Sequence, residues 1–404
     1  MNSINYDALN LIKYALSGGA ALPTQDCAAI EDINAHAMLP LLGPLCADLP
    51  PQARSRIEQA SNRNARLFIE HSCAVAELNT LFARPVIFKG FAAAQYYPTA
   101  SMRTLGDIDF MALGTDYDAA DAAMKSHGYT CVDDEYKLEL YPRHTSYDKC
   151  GVHYELHRYF THRLSDKNLA LDSMIENAEP ELRTTDGCAF YSLPDDVNGL
   201  VLLEHIEHHL HSGLGLRQIV DWLCYVRAYM TDERWYGGFG EAAALTGLRK
   251  IAIYTTALAE KYLGGPHRRF ADEADPAIVD LYMEELWDAG NFGRGRDEIA
   301  SKIAYFRGYG NPFARLQLGG LSNWKYAADH KWVRPFAWIY QCGHIARMLA
   351  DRYLRRGATT AVRSDKASDT TATRGAAAVL TARGEINTLY KRQTELFRAL
   401  EIDY

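Results

Sequence analysis

The segment that most restricts the fold is GDIDFMAL, residues 106–113, an apolar run with strand alternation that carries Asp107 and Asp109 one residue apart. Alternate residues of a strand share a face, so the two carboxylates project together while Ile108 and Phe110 project the other way. An unpaired ion in an apolar site costs several kcal/mol, so a chain that places two there must bring in a compensating cation. Mg²⁺ is suited to this, since it takes oxygen ligands and is commonly held by one or two carboxylates plus substrate phosphates. A further acid from a neighbouring strand would complete a cradle for two ions. The run VHYELHRYF, residues 152–160, offers one: Val152, Tyr154 and Leu156 occupy one face, and His153, Glu155 and His157 the other. The competing reading of an isolated Asp-x-Asp is an exposed edge or surface turn, and the apolar flanks argue against it.

The surrounding rhythm places this pair in a small α/β region. Residues 1–80 repeat apolar positions at three- and four-residue intervals, as in LNLIKYAL and RLFIEHSCAVAELNTLF, and read as helices. RPVIFKG is a short β-branched and aromatic run closed by Gly90, hence a strand and turn. FAAAQYY reads as a short helix ending before Pro98, DYDAADAAMKSHG as a helix with a Gly stop, and YTCVDD as the start of a strand. KLELYPRHTSYDK and GVHYELHRYF form a hairpin pattern joined through residues 148–151, and GCAFYSLP is a last strand ended by Pro194. From residue 196 the character returns to helices through about 360. Residues 361–384 include SDKASDTTATRGAAA, which lacks large apolar residues and reads as a flexible linker. Residues 385–404 form a final helix expected to dock through Ile386, Leu389, Leu396 and Phe397. The expected division is therefore 1–80, 81–195, 196–360, 361–384 and 385–404.

Composition narrows the function. The chain has 404 residues, 48% of them hydrophobic, enough for roughly two to three domains. A net charge of -8 argues against a general nucleic-acid surface, which needs clustered Lys and Arg. Eight scattered cysteines without a C-x-x-C pair suit a reducing compartment, with Cys224 and Cys27 expected as buried thiols. The start lacks a basic region leading into a long apolar run, and no window approaches the roughly 18 apolar residues of a membrane span. The best candidate, FAWIYQCGHIARML, contains Gln341, His344 and Arg347. These features lead to the expectation of a cytoplasmic protein of bacterial type with no membrane partner.

The string VIFKG, YYPTASMRTLGDIDFMAL, HGY, VHYELHRYF resembles the uncharacterised nucleotidyltransferase family of the DNA polymerase β-like superfamily. HIEHHLHSGLGLRQIVDW and AGNFGRGR also resemble family segments, and the likeness spans roughly residues 80 to 300, sharpest at 86–157. The resemblance implies an α+β fold: a small mixed-sheet nucleotidyltransferase domain flanked by N-terminal and C-terminal helical regions. It implies that Asp107 and Asp109 are the metal-binding aspartates. Glu155 becomes the third carboxylate, which binds the catalytic metal and helps deprotonate the attacking hydroxyl. Gly90 becomes the turn glycine whose backbone amides approach nucleotide phosphates. The implied cofactor is Mg²⁺ or Mn²⁺, as two ions, and the implied substrate is an NTP, with ATP as the default. Phe91 stands where the superfamily usually has a small residue, often Ser, and the spacing from Gly90 to Asp107 is longer than in most members. Lys89 and Arg103 are therefore the candidates for supplying positive charge to the nucleotide.

The reaction expected is transfer of an NMP to a hydroxyl-bearing acceptor with release of pyrophosphate. The acceptor is a small molecule, a protein or an RNA, so nucleic acid enters only in that role. Two rival readings are a non-catalytic nucleotide-binding or scaffold protein that keeps the fold, and a toxin-like enzyme that modifies tRNA or protein.

Weaker candidates lie nearby. His157 shares the face of Glu155 and could orient it or touch substrate. Glu204, His205, His208 and His211 form a polar helical stripe that could border an acceptor cleft, with His208 and Arg217 as substrate contacts. His205 and His209 have helix-borne ligand spacing, but the metalloprotease pattern needs Glu where Ile206 stands. Arg217 and Asp221 are four apart and could pair along their helix. Gly293-x-Gly295 has no preceding strand and reads as a helix-ending turn, and the Arg-rich run 347–363 as a wet helical face.

Overall fold

The computed structural model describes residues 3–17, 27–133, 143–161, 165–210, 213–290, 312–324, 326–347, 350, 388 and 390–402. The linker expected at 361–384, the Gly293-x-Gly295 turn, His211, and most of the Arg-rich run lie outside them. The chain divides into two compact units, Met1–Gly295 with Ala399–Glu401, and Arg296–Arg398 with Ile402–Tyr404.

The first unit is built on a mixed sheet of seven strands among the described residues, in the order β3-β4-β5-β2-β1-β7-β6. The strands are β1 (Pro85–Ile87), β2 (Ile108–Ala112), β3 (Thr130–Cys131), β4 (His144–Lys149), β5 (Val152–His157), β6 (Glu181–Thr185) and β7 (Cys188–Ser192). Strand β2 lies inside the sheet, antiparallel to β1 and parallel to β5, and all five of its residues are buried. That position explains its apolar composition, because an inner strand covered on both faces has no solvated side.

The helices that enclose the sheet follow sequence rules. Helices α1 (Tyr6–Ser17) and α2 (Cys27–Ala35) precede α3 (Pro51–Leu81), which places Phe68, Ala74, Val75 and Leu78 into a core shared with Ile87, Ile108, Phe110 and Leu156. After β1 comes α4 (Lys89–Ala94), and after β2 comes α5 (Tyr117–Ser126). The Asp116 carboxylate caps α5 by accepting from the amides of Asp118 and Ala119, each at 3.1 Å. Helix α6 (Asp166–Glu176) is capped in the same way by Ser165. The polar strand β6 and strand β7 form a hairpin around Asp186 and Gly187, with φ of 44° and 82°.

Helices α7 (Asp195–Leu210) and α8 (Leu216–Ala228) pack together, and Gly199 of α7 lies against the Tyr225 ring of α8. Helices α9 (Arg249–Leu263) and α10 (Pro276–Ala289) continue the unit, and α10 stops at Gly290 with φ 61°. The mixed sheet with helical flanks is the α+β arrangement the sequence implied.

The second unit contains a helix over Pro312–Asn323, a short helix over Tyr326–Asp329, and a 3-10 turn over Lys331–Phe336 that leads into further helix. In the last described helix Leu396 and Phe397 are buried, whereas Ile386 and Leu389 lie outside the described residues. No helix among the described residues is long and apolar enough to cross a membrane. All eight cysteines are free. Cys224 is buried as expected, but Cys27 is exposed, because it opens α2 on the side away from Ala29, Ile30 and Ile33.

Candidate functional site

The parallel pairing of β2 with β5 brings the acids together. Asp109 is in register with Glu155, and Ile108 with Tyr154, so both carboxylates leave the sheet on one face. Ile108 and Tyr154 turn to the other face, into the core beneath α3 and α5. Asp107 immediately precedes β2, two residues from Asp109, and shares its direction. Ligand oxygens of Asp107, Asp109 and Glu155 all lie within 4.8 Å of one another. The side chain of Asp109 is 3% exposed and that of Glu155 19%, while Asp107 stands at the exposed mouth.

Two cationic or proton-bearing groups hold Asp109. Lys89 Nζ donates to Asp109 Oδ1 at 2.6 Å, and His157 Nε2 lies 2.9 Å from the same oxygen. Lys89 adopts a left-handed backbone conformation, φ 46°, where the chain turns from β1 into α4. Such a conformation is costly for a residue with a Cβ. Gly90 follows, and a Cβ there would stand 3.4 Å from Arg103 Nη1 and 3.5 Å from the Asp107 carbonyl oxygen. Those are ordinary van der Waals distances, so space alone does not demand a glycine at this turn.

The electrostatics follow from that crowding. Burial alone would raise the Asp109 carboxyl, but Lys89 and His157 outweigh it and hold the group well below its ordinary value. Burial likewise opposes the Lys89 ammonium, and Asp109, aided by Glu155, reverses the sign and raises it. Glu155 is lowered, with burial offset by His157 and His144. Asp107 moves the other way: Asp109 first, then burial and Glu155, push it up. Three carboxylates therefore share more negative charge than Lys89 and His157 offset, and the excess falls on Asp107 at the mouth. An all-oxygen donor set with surplus charge fits a hard divalent cation such as Mg²⁺.

Arg103 has a different setting. Its Nε and Nη2 donate to the two oxygens of Asp221 at 2.9 and 2.8 Å, Tyr97 Oη donates to the same carboxylate at 2.7 Å, and Nη1 donates to the Thr104 carbonyl. The guanidinium is thus a buried fastener between the start of β2 and α8. Of the polar stripe on α7, Glu204 and His205 are buried and His208 is exposed. Burial raises the Glu204 carboxyl and, with His209 and Lys89 adding to it, drives His205 well below its ordinary value. Arg217 sits in the first turn of α8, half-buried, and burial together with Arg103 lowers it.

The structure thus gathers Asp107, Asp109, Glu155, Lys89 and His157 at one point, with Gly90 and Arg103 adjoining. His208 is not among the residues whose ligand atoms converge there. Two neighbours escaped the reading of the sequence. His144 lies across the hairpin from His157 and 3.5 Å from Glu155, and Arg143 reaches toward Glu204 at 4.0 Å. The hairpin register was the signal that could have found His144.

Compared with known families, residues 30–264 match the model of an uncharacterised nucleotidyltransferase family. No curated protein and no solved structure matches the chain.

Proposed function

The chain belongs to the uncharacterised nucleotidyltransferase family, and from that premise we propose that it transfers an NMP from an NTP to a hydroxyl-bearing acceptor and releases pyrophosphate. The observation that carries this reading is the in-register pair Asp109 and Glu155 with Asp107 beside them, three acids converging from two adjacent strands.

Asp107, Asp109 and Glu155 are the residues that would hold Mg²⁺ or Mn²⁺. Bound there, such ions supply positive charge that makes the acceptor hydroxyl more acidic and offsets the charge of the departing pyrophosphate. Glu155 is the carboxylate positioned to take the hydroxyl proton, and His157 and His144 keep it ionised by flanking its two oxygens. Lys89 is already charged and desolvated at the site, so it meets incoming phosphate oxygens without reorganising, which is where electrostatic stabilisation is strongest. Gly90 is the turn glycine whose amides would approach the triphosphate. Arg103, through Asp221, is a positioning residue that fixes the approach to β2. A small-molecule or protein acceptor suits the acidic chain better than long nucleic acid.

The test is incubation of the protein with each of the four labelled NTPs, Mg²⁺ or Mn²⁺, and cell extract, asking which molecule acquires label. Labelling by the native chain and none by Asp109→Asn or Asp107→Asn, with folding intact, is the expected result. Undiminished labelling by either variant refutes the assignment.

A further inference from the structure

The β4–β5 hairpin carries a second set of ligand atoms beside the three acids. Its register pairs His144 with His157 and Ser146 with Glu155, so both imidazoles and the carboxylate share one face. His144 Nε2 lies 3.5 Å from Glu155 Oε1, and His157 Nε2 lies 3.5 Å from Glu155 Oε2. These separations are long for hydrogen bonds. Taking one ligand atom from each residue, the three lie within 4.8 Å of one another, close enough for one ion to draw them together. Two imidazoles and a carboxylate are also the donors of a borderline-soft transition metal, whereas Mg²⁺ prefers oxygen alone.

The orientation of His157 is an independent observation. Its Nδ1 lies 3.2 Å from the Tyr159 carbonyl oxygen, which can only accept, so Nδ1 carries a hydrogen. Nε2 then faces Asp109 Oδ1 at 2.9 Å and Glu155 Oε2 at 3.5 Å. A carbonyl that fixes the far nitrogen is the usual outer contact of a metal-ligating histidine. His157 is fully buried in its side chain and His144 is 26% exposed, which leaves the group one open side.

We infer that His144 Nε2, His157 Nε2 and Glu155 bind a transition-metal dication of the Zn²⁺ or Co²⁺ class, beside the Asp107, Asp109 and Glu155 set and sharing Glu155 with it. This site does not depend on the transfer reaction, and its test does not use turnover.

The full chain is titrated with Co²⁺ in a large excess of Mg²⁺, following the visible absorption, and Zn²⁺ is then added in competition. One equivalent of Co²⁺ should bind with nitrogen and oxygen character and no thiolate charge-transfer band, and Zn²⁺ should displace it. His144→Phe should weaken binding at least about tenfold, whereas Asp107→Asn should retain it. Because His144→Phe could also disturb folding, the native chain supplies a second readout: Zn²⁺ should shift the ring ¹⁵N resonances of two histidines at Nε2. Unchanged affinity in a folded His144→Phe chain, a thiolate spectrum, or histidine resonances that ignore Zn²⁺ would overturn the inference.

Discussion

Arg103 and Asp221, 118 residues apart, meet through two parallel hydrogen bonds at 2.9 and 2.8 Å, and both side chains are nearly sealed from water. Removing one member leaves the other as an uncompensated buried charge, which costs about 3–5 kcal/mol. Asp221→Ala should therefore lower the unfolding free energy of the first unit by that amount, read from denaturant melts, and Arg103→Met in the same chain should recover much of it. An Asp221→Ala chain as stable as the native protein would contradict the geometry.

Lys89 carries the charge nearest the acids, and Lys89→Met keeps the stem while deleting the ammonium. Two consequences oppose each other: Asp109 loses its partner, and a phosphate loses its contact. The second governs turnover, so kcat/KM for the NTP should fall by about 10²-fold, a typical loss for one preorganised electrostatic contact. Raising the Mg²⁺ concentration should recover little. A value of kcat/KM within twofold of native would remove Lys89 from the site.

How far the site could be read in advance differs from residue to residue. Cys150 and Gly151, with φ of 52° and 82°, form a two-residue turn that pairs Lys149 with Val152. Counting back along the ladder then sets His144 opposite His157, so this neighbour was legible in the chain and went unread. The parallel pairing of Asp109 with Glu155 was not legible in that way, because no local turn links β2 to β5 and packing of distant segments sets their register. Asp221 reads as the helical neighbour of Arg217, four residues before it, yet its carboxylate is taken by Arg103 and Tyr97 from another part of the fold. Strand β6 was missed because Glu181–Thr185 lies mostly at the surface and has no apolar alternation; Asp186-Gly187 was its one cue.

Gly199 tests the packing of α7 on α8. A Cβ at this position would fall 2.3 Å from Tyr225 Oη and 2.5 Å from its ring carbon, and Tyr225 is fixed by donating to the Asp195 carbonyl at 3.0 Å. Gly199→Ala must push the two helices apart, at a cost of about 1–3 kcal/mol. Combining it with Tyr225→Leu should restore part of the loss in urea melts. An alanine variant with an unchanged midpoint would show that this contact yields freely.

Acid should weaken the fold through His36 and His71, which are 2% and 1% exposed. Burial, the main cause for both, lowers each from 6.5 to about 4. The Leu216 amide donates to His36 Nδ1, a contact that needs the neutral ring. A folded-state value below the unfolded one means that unfolding takes up protons, so the stability is fully present above about pH 6.5 and is lost as pH falls toward 4. Within that window each histidine contributes a slope of about 1.4 kcal/mol per pH unit. Glu204, raised by burial, works in the opposite sense as pH rises through its value, so the raw profile mixes both. The difference between the native chain and His36→Gln isolates one group. Their unfolding free energies should converge from pH 7 down to pH 5, and a constant gap across that range would rule out a buried neutral histidine at position 36.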